Sequence, residues 1–590
     1  MKNNSFISGN FDYSCRTSRE ETVMRLIKLA SKSKNVVNSY WKKMRAYYDG
    51  DHNIHAHTSA FTAEHDIMWD AAQSTDGFIH VESQVDTKVP DFEFSPREVS
   101  DYDRAKQREK ITRFVCDINC LELKNALNER RLGILGSAVY KVCWDSEAKD
   151  SSGGEIKIDI PKPEQILPDP CASTIDACEY IGYVYRIHKQ KARRFFEKDF
   201  LRLNEDIEDY LEKNRTERGY FDYTGEDFDD DSANQTVTIT EWWFRQSRDG
   251  EETVELYDAD GKKVSLNYKW KAGDIALSIF LGSKEIRYIP KYWKNTACDM
   301  FPFVIYSKIP NEDSIWGKSE LEAIVPLIDA SDRELAYAQM NSAFSSNDII
   351  VAEENALSDD GELDNSPGAI WKLRPGMMGK IQRLGNAGRT QLNQYSNSDF
   401  WREIMKETTG NYDVNQGVEP TRVTTASGIA LLNERAKNRQ MMKKVIKSEG
   451  FRRLYELIDR TALEYYDDDR VVEIGAAGDD GKVYRFSELT KDGDNSYIPI
   501  VDVKIHIGDS ISNSKAFTIQ AVSELMKTPV NADNFRFVQS YIELIGLPMR
   551  GQICDQLEKK FATPDMPETM GLTPITTLPQ LPDTEVLKND

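Results

Sequence analysis

The sequence predicts an α+β fold, and three observations carry that expectation. Apolar residues recur at helical spacing over residues 19–50, 101–129 and 427–466. Strict alternation marks strands at Ile156, Ile158 and Ile160, at Thr236 to Trp243, and at Val501, Val503, Ile505 and Ile507. Asp249-Gly250 and Asp260-Gly261 punctuate the chain as hairpin turns do, which points to antiparallel pairing.

The 590 residues suggest several domains. Hydrophobic residues make up 39 % and charged residues 29 %, enough apolar material for sizeable cores. The net charge of -22 lacks the basic footprint of a sequence-specific DNA binder. No apolar run approaches a membrane span, and the first residues carry no apolar signal segment. Eight cysteines without short paired spacings read as reduced thiols made in a cytosol.

In chain order, the opening helix ends at the turn Tyr47-Tyr48-Asp49-Gly50. His52, His55, His57 and His65 follow at a spacing that fits no zinc site, so a polar loop is expected. The helix from Asp101 is expected to end near Gly133 or Gly136, with Cys116 and Cys120 one turn apart on it as buried thiols. A strand from Ala138 to Trp144 follows, and a charged helix is expected over 189–215. Asp227, Asp229, Asp230 and Asp231 lack the glycine and closing glutamate of a calcium loop and read as a solvated surface.

Gly317-Lys318-Ser319 resembles the end of a phosphate-binding loop, but Glu312 stands where that loop needs its first glycine. Ser319 and Glu322 instead make a capping box, with Pro326 delaying or kinking the helix. Residues 347–389 are irregular, with Ile349-Ile350-Val351, the turn Asp359-Asp360-Gly361 and Ile370-Trp371-Lys372-Leu373. A helix over 392–408 leads to a polar loop from Gly410, where Asn411, Asn415, Gly417 and Pro420 forbid regular structure. Ser427 is the natural cap of the next helix, Gly450 a kink within it, and its span is roughly 60 Å. The remainder returns to strands over 470–510, then helices over 514–562, and ends in a proline-rich tail.

The stretch NQGVEPTRVTTASGIALLNERAKNRQMMKK resembles the loop-and-spine segment of tailed-bacteriophage portal proteins, and LGSAVYKVCWD followed by IPKPEQILPDP is a second resemblance. The opening YWKKMRAYYDG is a weaker one. The resemblance covers most of residues 35–560. It implies a wing of α+β build with antiparallel strands over 1–315, 427–468 (its spine helix) and 469–512. It further implies a helical stem over 316–346 and 390–409, a small α/β clip over 347–389, a channel loop over 410–426, a helical crown over 513–562 and a flexible tail from 563.

The same resemblance implies a homo-oligomer ring, a dodecamer, at one vertex of the virion capsid and assembled in the host cytoplasm. Double-stranded DNA would pass through it non-specifically. Expected partners are the terminase large subunit, neck adaptor and tail proteins, and the major capsid and scaffolding proteins. DNA-facing residues are expected at Asn411, Asn415, Gln416, Thr421, Arg422, Thr424 and Thr425, and docking residues at Asp359, Asp360, Glu362, Trp371, Lys372 and Arg374. No cofactor, metal, membrane contact or catalytic residue is expected. Rival readings are another head-neck ring or tail protein, and a metal-dependent nuclease built on Asp227, Asp229 and Asp230. Nine lysines or arginines lie between Arg435 and Arg460, and most are expected to pair with acidic neighbours across subunits.

Overall fold

A computed structural model describes residues 13, 15–51, 75–146, 148, 154–203, 236–257, 263–294, 298–346, 349–353, 356–357, 372–384, 390–409, 426–466, 471–473, 483–486, 491–492, 495–496, 499–505 and 538. The chain divides into two compact units, Met1–Ile474 with Val483–Ile507, and Gly475–Lys482 with Gly508–Asp590. Every element below belongs to the first; the second contributes one described residue, Val538, which is helical and buried. The histidine group at 52–65, the acidic run at 227–231, and the helices and tail expected beyond 513 lie outside the described residues.

The fold is α+β, as the alternation and helical periods predict. Helices α1 (Arg16–Asp49) and α2 (Asp76–Ser83) lead to strand β1 (Phe92–Pro96), then α3 (Tyr102–Ile118) and α4 (Leu121–Leu135). Strands β2 (Ala138–Asp145), β3 (Glu155–Asp159), β4 (Ile166–Pro168) and β5 (Tyr180–His188) precede α5 (Lys189–Leu203). Next come β6 (Thr236–Arg245), β7 (Gly250–Tyr257), β8 (Lys263–Trp270), β9 (Ile275–Leu281), β10 (Lys284–Ile289) and β11 (Phe303–Tyr306). Helix α6 (Val325–Ser346), strands β12 (Ile349–Ala352) and β13 (Ile381–Leu384), and helices α7 (Thr390–Thr409) and α8 (Ala426–Tyr465) follow. Short strands β14 (Val471–Glu473), β15 (Val483–Arg485), β16 (Lys491–Asp492) and β17 (Asn495–Ser496) lead to β18 (Val501–Ile505).

The largest sheet has the order β10-β9-β6-β5-β4, antiparallel throughout. Its central strand β6 is covered on both faces, so its burial is nearly continuous although its side chains alternate. Trp242 and Phe244 meet Val23, Leu26, Ile27 and Ala30 of α1, whereas Val237 and Ile239 meet Ala192, Phe196 and Phe200 of α5. A second sheet, β11-β2-β3, lies against α8. There Phe451 packs on Tyr140 and Tyr306, with ring centroids 5.8 and 6.2 Å apart. One turn further along α8, Tyr455 stacks on Phe92 of β1 at 3.9 Å. That strand pairs with β18, so two segments some 400 residues apart share one ladder, and Arg108 of α3 holds Asp459 of α8 bidentately beside it.

Three expectations need correction. The helix from Asp101 is two helices, because the Asn119 side chain leaves the helical pattern. Its Nδ2 donates to Ile156 O at 2.9 Å and its Oδ1 accepts from Ile158 N, while Cys120 takes a left-handed conformation. Cys120 is exposed in consequence, and only Cys116 is substantially covered, its thiol pushed up to about 12 by burial. The capping box at Ser319 is not closed locally. The Ser319 hydroxyl accepts from Leu321 N and donates to Gly133 O, but its N–H goes to Tyr40 Oη, and Tyr40 in turn donates to Glu322. Helix α6 therefore starts at Val325, just before Pro326. Helix α8 begins at Ala426, so Ser427 is inside it.

Gly450 serves the packing of α8 on the sheet. Helix α8 runs through it without interruption, and a Cβ there would lie 2.7 Å from the Tyr306 ring. Close approach of helix to sheet is what the glycine serves there. Helix propensity favours alanine by about 1 kcal/mol, and overpacking costs about 1–3 kcal/mol. Gly450→Ala is expected to lower the urea midpoint by a net loss on the order of 1 kcal/mol. A raised midpoint would show that the Tyr306 contact does not require glycine.

Candidate functional site

The elements that the resemblance singles out are α6, the β12–β13 segment, α7 and α8. Helices α6 and α7 run as a pair, joined inside by the Ser331 and Ser398 hydroxyls 2.9 Å apart, both buried. The pair is tied to the body at its base, where Tyr47 of α1 donates to Asp329 at 2.7 Å and Arg402 donates to Asp76 of α2 at 3.1 Å. Between the two helices the chain forms the antiparallel pair β12–β13, a bridge between Leu357 and Leu373, and an ion pair from Lys380 to Glu353 at 2.6 Å.

Of the docking residues expected here, Lys372 and Arg374 are described and exposed, flanking the Leu357–Leu373 bridge; the Arg374 N–H donates to Ala356 O. Asp359, Asp360, Glu362 and Trp371 lie outside the described residues, as do Asn411, Asn415, Gln416, Thr421, Arg422, Thr424 and Thr425.

Helix α8 enters the body through a buried charge cluster that sequence reasoning missed. Lys447 is 3.2 Å from Glu129 of α4 and from Asp86, and its ammonium donates to Asp86 O and Lys88 O at 2.8 Å. Lys308 lies 3.2 Å from the other Glu129 oxygen and 3.7 Å from Glu320. Lys443, one turn before Lys447, reaches Glu320 at 2.5 Å and Gln84 at 3.0 Å. Burial opposes ionisation of Glu320, but Lys308 and Lys443 override it and hold its carboxyl below the usual range.

Four of the nine basic residues of α8 are satisfied without a neighbouring subunit. Lys443, Lys447, Arg452 and Arg453 all pair within their own chain, Arg452 with Glu449 and Glu456, Arg453 with Asp176. The available signal was Lys443 and Lys447 at i, i+4 on one helix face. Their partners sit more than a hundred residues away and have no local signature.

The phosphate-loop fragment has a structural role. Gly317 N–H donates to Ser137 Oγ and Lys318 N–H to Ile309 O, so both amides are spent on neighbouring segments. A shallow cleft is lined in part by Lys34, Asp169, Asp313 and Trp316. Lys34 is buried there, its ammonium donating to Pro163 O and lying over the Trp41 and Trp316 rings at 4.2 and 3.3 Å. Burial takes its basicity well below that of an ordinary lysine. Among the described residues, no group of three or more His, Cys, Asp or Glu could hold a metal ion, and no helix is long and apolar enough to cross a membrane.

The cluster makes acid stability testable through His80 of α2. Burial lowers its imidazole to about 4, with Glu320 opposing and Lys443 and Lys308 reinforcing the shift. The unfolded chain takes up this proton near 6.5 and the folded chain only near 4, so stability falls as pH drops across that window. The loss is on the order of 3 kcal/mol. His80→Gln is expected to flatten urea midpoints measured between pH 6.5 and 4.5. An unchanged slope would remove His80 as its source.

No curated protein matches the chain. The family model described as phage SU10 portal protein matches residues 52–483, nearly three quarters of its length, from before α2 through α8 to the start of β15. The chain therefore belongs to the phage SU10 portal protein family, a structural component of the bacteriophage capsid at the head-tail connector.

Proposed function

We propose that copies of this chain close into a ring at a single capsid vertex, and that the ring is the conduit through which double-stranded DNA is packaged and later ejected. The observation that supports this most is the order α6, β12–β13, α7, residues 410–425 and the 40-residue α8, all inside the family match. On this reading α6 and α7 are the stem and α8 is the spine. The segment between α6 and α7 is the clip, with Asp359, Asp360, Glu362, Trp371, Lys372 and Arg374 docking terminase first and neck or tail proteins afterwards. Residues 410–425 border the channel, and 513–562 form the crown. The chain acts as a conduit and docking platform; an ATPase in the terminase supplies the work of translocation.

An image of the purified full chain in negative stain tests the ring directly: closed rings are expected. Deleting residues 352–369 should leave a folded ring that fails to package DNA, because a segment between two helices shortens without unthreading the core. Normal packaging by that ring would overturn the clip assignment.

Charge supports a sliding conduit. Duplex DNA carries a negative charge roughly every 1.7 Å, so a strongly basic bore would hold it. This chain carries -22, and residues 410–425 hold Asp413 and Glu419 against the single Arg422, among neutral amides and hydroxyls. Weak duplex binding with a shallow dependence on salt is expected, and Asn415→Lys with Gln416→Lys should steepen that dependence and slow translocation. Tight binding by the wild-type ring, with a slope implying many neutralised phosphates, would sink this account of the bore.

A further inference from the structure

Two exposed apolar faces lie back to back on this subunit. The first is at the corner of α3 and α4, where Phe114 and Ile118 sit one turn apart on α3 and Leu123 and Leu127 one turn apart on α4, each 41–63 % exposed. The second is on α8, where Met442 and Val445 are 67 and 40 % exposed. The ion pair between Glu129 and Lys447 fixes how these helices face each other. At about 100° per residue, Leu123 and Leu127 point about 120–160° away from Glu129 on α4. By the same rotation, Met442 and Val445 point about 140–160° away from Lys447 on α8. The two faces therefore look out from opposite flanks of the α4–α8 contact.

Large apolar side chains grouped on one face, and not scattered singly, mark a surface that another molecule covers. The sequence charges of the two faces are opposite in sign. Residues 114–127 hold Asp117 and Glu122 against Lys124, whereas residues 435–445 hold Arg435, Lys437, Arg439 and Lys444 and no acid, besides Lys443, which pairs with Glu320. A ring closes through a heterologous contact, in which one patch meets a different patch on the next copy. A two-fold dimer would instead need a single self-complementary patch.

We propose that the α3–α4 corner of one subunit seats against the Met442–Val445 face of α8 in the next, as the subunit junction of the ring. This rests on the ring reading above and adds to it the surface and the direction of contact. The charge cluster of Lys447, Glu129, Lys308 and Glu320 lies between the two faces, so each junction is coupled to the next through a fixed part of the fold.

The test uses two full-length variants, one carrying Leu123→Asp and Leu127→Asp, the other Met442→Asp and Val445→Asp. All four side chains are exposed, and urea midpoints equal to the wild type confirm that each variant folds. Native mass measurement is expected to show rings for the wild type and loss of rings for each variant alone. A mixture of the two should give a two-subunit species, because one intact corner and one intact α8 face remain to form a single junction. Rings from either variant would overturn the junction and leave the ring reading standing, as would a mixture that stays monomeric. Dimers of either variant alone would show a two-fold contact and overturn it too. Absence of rings from the wild type would count against both.

Discussion

The position of α8 on the rest of the molecule depends on one buried carboxylate. Glu129 is fully shielded from water, a location that an isolated charge does not tolerate. It is held there by two ammonium groups, Lys447 from α8 and Lys308 from the segment after β11, each 3.2 Å away. Lys308 and Lys443 then share Glu320, so five separate stretches of chain meet in one alternating set of charges. Both Glu129 oxygens lack aligned hydrogen bonds, so the contact is charge against charge. Such clusters add little net stability over an apolar core, but removing one partner strands the other, at a cost of about 3–5 kcal/mol.

The aromatic contacts further along α8 work with this cluster. Phe451, Tyr455 and Tyr465 reach β2, β1 and Tyr292 in turn, and Gly450 lets the helix approach Tyr306 closely enough for them to do so. The C-terminal half of α8 is thus built into the body by both charge and packing. Helix α1 does the same service on the other side. It packs its apolar stripe on Trp242 and Phe244, sends Arg19 bidentately to the buried Glu285, and sends Tyr40 into the turn before α6. Both long helices are thus anchored at several points along their length.

Local pattern carried much of this in the sequence. The helices α1, α7 and α8, the strand after Gly136, the alternation in β3 and β6, and the hairpin of β7 and β8 follow from side-chain period and turn chemistry, which act within a few residues. The order of α6, a β-containing segment, α7 and a long helix was legible for the same reason, and with it the family. What only the tertiary structure decided are choices between locally equal options. Asn119 breaks a helix because β3, nearly forty residues on, offers its backbone to the amide. Ser319 gives its N–H to Tyr40 because α1 passes beside it. Gly450 is a contact point because Tyr306 lies beneath it, β1 finds β18 across some four hundred residues, and Lys443 and Lys447 of α8 find partners in their own chain. In each case the deciding group is distant in sequence, and a side chain's hydrogen bonds and charge partners depend on distance in space, which one-dimensional pattern does not carry.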